Sequence, residues 1–137
     1  MNFLLSATVL PIRWNMTGAT IAGSSAGSSG VTASLISIAY SLTLDSSNAL
    51  YVTDYSNNRI QQWLSGASSG TTVAGQSNGA VGASSTALNM PVGIVLDSSN
   101  NIYFTDRGNH RVMYWANGAS SGTVIAGVTG SAGTASN

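Results

Sequence analysis

Short apolar runs separated by small polar residues recur along the chain. In the second half the runs are GIVLD from Gly93, NIYFTD from Asn101, HRVMYW from His110 and TVIAG from Thr123. Their Ile, Val, Tyr, Phe and Trp residues favour strands, and the Asp, Ser, Asn and Gly clusters between them favour tight turns. We predict four antiparallel strands joined by hairpins, and no helix of appreciable length.

The connections between the runs also carry structural information. The tetrapeptide DSSN begins at Asp45 and again at Asp97, and we expect each aspartate to cap the first hairpin through local hydrogen bonds. The tripeptides YSN and RGN follow the second run and tolerate left-handed dihedral angles. A longer Gly/Ser loop precedes the last set of runs, and in it we expect Leu88 and Met90 to act as apolar residues that hold an otherwise flexible crossing in place.

The whole pattern repeats with a fixed period. TIAG ends at Gly23, TVAG at Gly75 and VIAG at Gly127, which gives a spacing of 52 residues twice. Aligning residues 20–71 with residues 72–123 without gaps gives 23 identities in 52 positions, so the two segments are tandem repeats. The predicted organisation is the end of a preceding unit (1–19), two full units (20–71 and 72–123) and the start of a further unit (124–137).

Four short strands in a repeat of about 40 to 50 residues are typical of a β-propeller blade, a small sheet that packs against its neighbours on both faces. Burial on both faces explains why LYV at Leu50 and IYF at Ile102 are continuously apolar. We expect Gly93 where the innermost strands converge and a side chain would clash. The predicted fold class is therefore all-β, with four-stranded antiparallel propeller blades.

Residues 91–115, PVGIVLDSSNNIYFTDRGNHRVMYW, resemble an NHL repeat, a family named after an Asn-His-Leu triplet. The positions that match the family pattern are Pro91, Gly93, Ile94, Asp97, Asp106, Asn109 and His110, with Arg111 in the third place of the triplet. The first unit departs from the pattern at Ala39, Ser41 and Asn58, which replace proline, glycine and histidine.

The resemblance implies a closed ring of six blades, which two full units do not complete. An open partial propeller presents unpaired strand edges and apolar blade faces. Three hypotheses follow: a piece of a longer protein, which we favour, a truncated gene product, or a chain that self-associates to complete the ring. Three copies of two blades would supply the six.

Each unit carries an aspartate five residues before an arginine, across the second hairpin, and a tryptophan at the end of the third strand. These residues are Asp54, Arg59 and Trp63 in the first unit and Asp106, Arg111 and Trp115 in the second. Because both units carry all three, we expect structural roles. The charged residues should form an ion pair or accept backbone N–H groups, and the tryptophans should pack between blades.

Two residues of the second unit are candidates for contact with a partner. His110 is the only histidine, and its equivalent in the first unit is Asn58. Since an imidazole metal site or a catalytic base would depend on His110 alone, we expect a local hydrogen bond there rather than catalysis or metal binding. Arg107 replaces Tyr55 and is the one charge that the repeat does not require. We predict Arg107 and His110 as the partner-contacting residues.

Charge and composition exclude several classes of function. Charged residues make up 6% of the chain, four arginines balance four aspartates, and lysine, glutamate and cysteine are absent. Nucleic-acid binding and attachment to anionic membranes both require many cations, so neither is expected. Without cysteine there are no disulfides and no thiolate zinc ligands. We predict no metal and no cofactor.

The N-terminal stretch MNFLLSATVL is apolar, but it lacks a basic start and is far shorter than the roughly 20 residues of a membrane span. We expect no membrane span, and the sequence leaves the compartment open, with a slight lean towards an extracellular one.

The resemblance implies an interaction module without catalysis, and the neutral charge favours a protein, peptide or glycan partner over RNA. An alternative is a fragment of a six-bladed enzyme, since similar rings include a zinc-dependent peptide-amidating lyase and calcium-dependent lactone hydrolases. Their sites gather several His, Glu, Asp and Asn side chains on the axis, and this chain has one His and no Glu. A third hypothesis is a remnant without independent function.

Overall fold

The computed structural model describes residues 18–133 and contains two four-stranded antiparallel sheets. Within these residues the helical elements are two single 3₁₀ turns, Tyr55–Asn57 and Arg107–Asn109, and none has the length or apolar character to cross a membrane. The all-β prediction is confirmed. The apolar start of the chain, with most of the predicted preceding unit, and residues 134–137 of the predicted further unit lie outside the described residues.

The strands follow one another in space in the same order as in the chain. The first sheet, blade 1, contains β1 (Ala39–Leu44), β2 (Leu50–Asp54), β3 (Arg59–Trp63) and β4 (Thr71–Gly75). The second sheet, blade 2, contains β5 (Pro91–Leu96), β6 (Ile102–Asp106), β7 (Arg111–Trp115) and β8 (Thr123–Gly127). Each strand of blade 2 begins 52 residues after its equivalent in blade 1. The sequence units begin within the fourth strand, so each blade takes that strand from the start of the next unit.

Strand register separates each blade into two faces. In blade 2, Ile102 pairs with Trp115 and Phe104 with Met113, and these side chains share the face that points towards blade 1. We call this face, with its equivalents Leu50, Val52 and Trp63 in blade 1, the leading face. The opposite, trailing face carries Tyr51, Thr53, Ile60 and Ala74 in blade 1 and Tyr103, Thr105, Val112 and Ala126 in blade 2.

The main core lies between the blades. Tyr51, Ile60 and Ala74 of blade 1 pack into one cluster with the leading face of blade 2. Trp115 and Phe104 lie at the centre of that face, with ring centroids 6.3 Å apart. Because full burial of a large apolar side chain contributes roughly 1.5 to 3 kcal/mol, this interface is a principal source of stability.

A second, smaller cluster covers the leading face of blade 1. Leu50, Val52 and Trp63 are buried there against Ala22 and Ile36, which belong to the segment before β1. Ile36 and Ala22 are the repeat equivalents of Leu88 and Ala74 in the main core. The segment before β1 therefore packs on the leading face of blade 1 in the same way as β4 and the inter-blade loop pack on the leading face of blade 2.

The two expected anchors of the inter-blade loop behave differently. Leu88 is fully buried in the main core, and its carbonyl accepts a hydrogen bond from the amide of Gly82 at 3.0 Å. Met90 holds the loop at the surface instead: it has a positive φ of 53° and is 41% exposed, and its amide donates to Asn58 Oδ1 at 3.0 Å. The turn that joins the loop to β5 directs this side chain to the surface.

Two further expectations are corrected by the packing. The prediction of burial on both faces holds for β2, whereas in β6 Tyr103 and Thr105 are partly exposed on the trailing face. The expected clash at Gly93 is absent, since an added Cβ would meet only the Thr105 hydroxyl at 3.5 Å, an ordinary contact. Its equivalent Ser41 makes the same backbone hydrogen bond to a threonine hydroxyl, and β1 and β5 share the same register shift.

Gly75 is a position where the fold does require glycine. Its φ is +86°, and an added Cβ would lie 2.6 Å from the carbonyl oxygen of Asn58 and 3.0 Å from Cα of Arg59. Both contacts are with backbone, one at the end of the 3₁₀ turn and one at the start of β3, so neither can move without disturbing the β3–β4 pairing. The fourth strand closes the blade only because this residue has no side chain.

We predict that Gly75→Ala destabilises the chain more than Gly66→Ala does. Gly66 also has a positive φ, +76°, but an added Cβ there would meet nothing within 4 Å. Gly66→Ala should therefore lower the free energy of unfolding by about 1 to 2 kcal/mol, the cost of the left-handed conformation. Gly75→Ala should lower it by about 1 to 3 kcal/mol more because of the clash. Denaturant unfolding of both variants measures the difference, and equal losses would contradict the steric role.

Candidate interaction surface

The ends of the sheets differ in character. The β1–β2 and β5–β6 hairpins lie at one end, and the 3₁₀ turns and inter-blade loops lie at the other. At the second end, which we call the rim, the exposed and partly exposed side chains include Tyr40, Tyr55, Met90, Arg107 and His110.

A buried ion pair lies beneath each 3₁₀ turn. Arg59 Nε donates to Asp54 Oδ2 at 2.9 Å, and Arg111 Nε donates to Asp106 Oδ2 at 2.8 Å. All four side chains are at most 2% exposed. The left-handed residue that ends each turn, Asn58 or His110, reverses the chain so that acid and base meet across the hairpin.

Each arginine of an ion pair also fixes the loop that enters its own blade. Arg111 Nη2 donates to the carbonyl oxygens of Ser84 and Ala87 at 2.9 and 3.0 Å, and Nη1 donates to that of Ala83 at 2.7 Å. In blade 1, Arg59 Nη2 donates to the equivalent carbonyls of Thr32 and Leu35. A buried charge is tolerated only when its hydrogen bonds are satisfied, and the loop supplies the acceptors here.

The aspartates of the ion pairs also bind the loop that enters their blade. Asp106 Oδ1 accepts a hydrogen bond from the amide of Asn89 at 2.7 Å, and its Oδ2 accepts one from Nδ2 of Asn109 at 2.8 Å. Asn109 in turn donates to the carbonyl of Gly82. The equivalent bonds are made in blade 1 by Asp54, Ser37, Asn57 and Gly30. The predicted structural residues Asp54, Arg59, Asp106, Asn109 and Arg111 therefore lie in one repeated network, and Pro91 is buried where β5 pairs with Asp106.

The predicted tryptophans also lie in the packed interior. Trp115 is in the main core, where its Nε1 donates to the carbonyl of Ala119 at 2.8 Å, and Trp63 is in the smaller cluster. Both end the third strand of a blade on the leading face.

Asp97 and Asp45 hold the hairpins at the opposite end. Asp97 Oδ1 accepts the amides of Ser99 and Asn101, and Oδ2 accepts Nδ2 of Asn101 at 2.9 Å. The side-chain bond from Asn101, followed by the backbone bonds, lowers the pKa of Asp97. Bonds from the Ser47 hydroxyl and the Ala49 amide lower the pKa of Asp45.

The tyrosine beside each hairpin aspartate has a pKa that is shifted upwards, opposite to the shift of the aspartate. Desolvation, and then the negative charge of Asp97, raise the pKa of Tyr103. Desolvation and Asp45 raise the pKa of Tyr51 in the same way. Both phenols therefore remain protonated at neutral pH, and Tyr103 donates to Asp97 Oδ2 at 3.4 Å.

The rim joins the two blades through repeat-equivalent residues. Arg107 Nη1 donates to Tyr55 Oη at 3.2 Å, and these residues are 52 positions apart. Tyr55 Oη donates to Met90 Sδ at 3.3 Å, and the Tyr55 ring stacks on Tyr40 with centroids 5.6 Å apart. Tyr40 is 63% exposed and Arg107 is exposed. The result is a surface of two aromatic rings, a thioether and a guanidinium.

His110 lies beside this surface rather than within a strand. The predicted third strand began at His110, but β7 begins at Arg111, and His110 is an exposed left-handed residue. With Arg107, Val92, Thr105 and Val112 it lines a shallow apolar groove on blade 2. Within residues 18–133, His, Asp, Cys and Glu form no group of three that could hold a metal ion.

Sequence reasoning singled out Arg107 and His110 as candidates but did not single out Tyr40 or Tyr55 near them. Tyr40 gave no signal because it lies in a unit whose first strand departs from the family pattern, and Met90 had been expected only to hold the inter-blade loop. One signal was available in the sequence: blade 1 has Tyr55 where blade 2 has Arg107. Because adjacent blades bring equivalent positions close together, this difference could have predicted the contact between the two residues.

We predict that Arg111→Met lowers the free energy of unfolding by about 3 to 5 kcal/mol, because it leaves Asp106 as a buried charge without its counter-ion. Arg107→Met is the matched control, since the same exchange at an exposed arginine should change stability by no more than about 0.5 kcal/mol. Guanidinium unfolding followed by tryptophan fluorescence measures both. Similar losses in the two variants would contradict the role of the buried pair.

The lowered pKa of Asp97 predicts how stability depends on pH. A carboxyl group with a lower pKa in the folded state stabilises the fold above its ordinary pKa of 3.8, and this contribution is lost as the pH falls through the folded-state value. Asp97→Asn should therefore be less stable than the parent chain at pH 6, and the difference should shrink below pH 3.8. Ser98→Ala, in the same turn, is the control. Its stability relative to the parent chain should not change with pH, and thermal unfolding between pH 3 and pH 6 measures both variants.

Comparison with known families locates the same two units. The NHL repeat family model matches residues 41–63 and 88–112, which run from β1 to the end of β3 and from the inter-blade loop into β7. No curated protein matches the chain. Each match falls on the first three strands of a four-stranded blade and includes its buried Asp–Arg pair. The chain thus contains two NHL repeats, and each lies in one of the two successive four-stranded sheets, which have the form of propeller blades.

Proposed function

We propose that the chain is a non-catalytic interaction scaffold that binds a protein or peptide through the rim. The observation that carries the proposal is the contact of Arg107 with Tyr55, which presents a guanidinium and stacked aromatic rings across two blades. Tyr, Arg and Met are enriched where proteins bind one another. NHL repeats are propeller-type repeats commonly used for protein interaction, which supports the same conclusion.

The distribution of charge supports a protein partner over a nucleic acid. Of the three arginines within residues 18–133, Arg59 and Arg111 are buried in ion pairs, and Arg107 is the exposed one. Neutralising a phosphate backbone requires several accessible cations. A single guanidinium beside aromatic rings instead suits one carboxylate and an adjacent apolar side chain.

The state of the acidic groups supports a function without catalysis. Asp54 and Asp106 are buried and saturated by arginine, asparagine and backbone donors. Asp45 and Asp97 are engaged in the hairpins at the end opposite to His110. A general acid or base must reach a substrate, and these carboxylates are committed to the scaffold.

The rim chemistry indicates what a bound peptide would carry. One Arg107 nitrogen is bonded to Tyr55, so the outer edge of the guanidinium is available for a carboxylate. The exposed Tyr40 ring, which stacks on Tyr55, offers an apolar face to an aliphatic or aromatic side chain. We therefore expect a peptide in which an acidic group lies next to an apolar residue.

We predict that Arg107→Ala weakens peptide binding at least tenfold, about 1.4 kcal/mol, because it removes the only cation proposed to contact the ligand. The probe is a peptide selected from a random displayed library against the parent chain, then synthesised and titrated by fluorescence anisotropy. Asn117→Ala changes an exposed residue at the opposite end and should leave the affinity unchanged. Unaltered binding to Arg107→Ala would refute the rim as the binding surface.

A further inference from the structure

A cleft opens between the two blades at the end opposite to the rim. It has a volume of about 260 Å³ and lies between strands β3 and β4 of blade 1 and the turn that joins β7 to β8 in blade 2. Its apolar floor is the edge of the main core, formed by Val73, Ile102 and Ala119. The cleft therefore belongs to the boundary between the two described blades and not to an outer face of either one.

The walls of the cleft are polar but carry no charge. They include Gln62, Thr71 and Thr72 of blade 1 and Asn117 of blade 2, and no charged residue is found among the described residues that line it. Gln62 Nε2 donates to Tyr51 Oη at 2.7 Å, which leaves the carbonyl oxygen of Gln62 as an acceptor. Carboxamides and hydroxyls both donate and accept hydrogen bonds. The cleft therefore offers donors and acceptors to a ligand, but no counter-charge.

The cleft lies where the two sequence units differ. With the cleft residue first, the exchanged pairs include Gln62/Tyr114, Thr72/Val124, Ala116/Leu64 and Asn117/Ser65. Gln62 and Ala116 are smaller than their equivalents, and Gln62 and Thr72 are more polar. These exchanges both open the space between the blades and supply it with hydrogen-bonding groups.

The wall on blade 2 is a turn held in place by hydrogen bonds. Trp115 Nε1 donates to the carbonyl of Ala119 at 2.8 Å, and the amide of Asn117 donates to Asn101 Oδ1 at 2.9 Å. The second bond is specific to this blade, because the equivalent of Asn101 in blade 1 is Ala49. A wall that is ordered before binding lowers the entropy cost of holding a ligand.

We propose that this cleft binds one unit of a neutral sugar. Sugar hydroxyls donate and accept hydrogen bonds as the groups of the walls do, and the C–H face of a sugar ring can pack on the apolar floor. The volume is below the roughly 300 Å³ at which pockets for drug-sized ligands begin, which suits a single sugar ring. Sugar binding does not depend on the proposed peptide binding, because the two sites lie at opposite ends of the blades.

The test titrates the methyl glycosides of glucose, galactose, mannose and N-acetylglucosamine, at millimolar concentrations, into the isotope-labelled chain. NMR spectra follow the side-chain amide signals of Gln62 and Asn117. At least one glycoside should shift both signals in a saturable manner, because the two carboxamides face each other across the bound ring. The absence of such shifts with all of these glycosides would overturn the proposal.

Variants taken from the repeat itself locate the binding site. Ala116→Leu introduces the residue that blade 1 has at this position, so it should fill the cleft and weaken binding of the glycoside at least tenfold. Leu64→Ala is the matched control, since it makes the reverse exchange at a 60% exposed position of blade 1 and should leave the affinity unchanged. Thr72→Val keeps the shape of the side chain and removes one hydroxyl, so it should weaken binding about fivefold.

Two further results would contradict the proposal. Equal affinities of the parent chain, Ala116→Leu and Thr72→Val would show that the glycoside binds elsewhere. Shifts of the Gln62 and Asn117 signals with N-acetylglycine methylamide, an uncharged peptide analogue, but with none of the glycosides would assign the cleft to a peptide instead of a sugar.

Discussion

The buried ion pair between the second and third strands of each blade is the contact on which the architecture depends. Arg111 and Asp106 are both removed from water, and a charge in that position is stable only with a complete set of hydrogen bonds. Carbonyls and an amide of the preceding loop supply those bonds. The pair therefore connects each hairpin to the loop that enters the blade and sets the position of one blade relative to the last.

This constraint also limits what the protein can do. The chain has few charges, and the described ion pairs and hairpin turns use all four aspartates for structure. Arg107 differs because it lies at the repeat position of a tyrosine and contacts that tyrosine across the blade boundary. Within residues 18–133 the scaffold exposes one arginine beside aromatic rings, which is consistent with the recognition role proposed above.

The repeat itself made most of the fold predictable. The 52-residue period, the strand-forming runs and the turn residues act locally, so they gave the strands of both blades to within about two residues. Arg107 was also found from the repeat, as the exception to it. Gly93 and Tyr103 were misjudged because their surroundings depend on which blade faces are covered, and the period treats every blade as equivalent.

The sequence by itself determined the number of units, their strands and the acid–base pair in each, since these follow from local propensity and from side chains that lie opposite each other across one hairpin. Only the tertiary structure decided which faces are covered, which loop carbonyls the arginines bind, and how Tyr40, Tyr55 and Arg107 meet at the rim. Those contacts join residues from different strands and loops. Their distances are set by the stacking of one blade on the next, which no local pattern encodes.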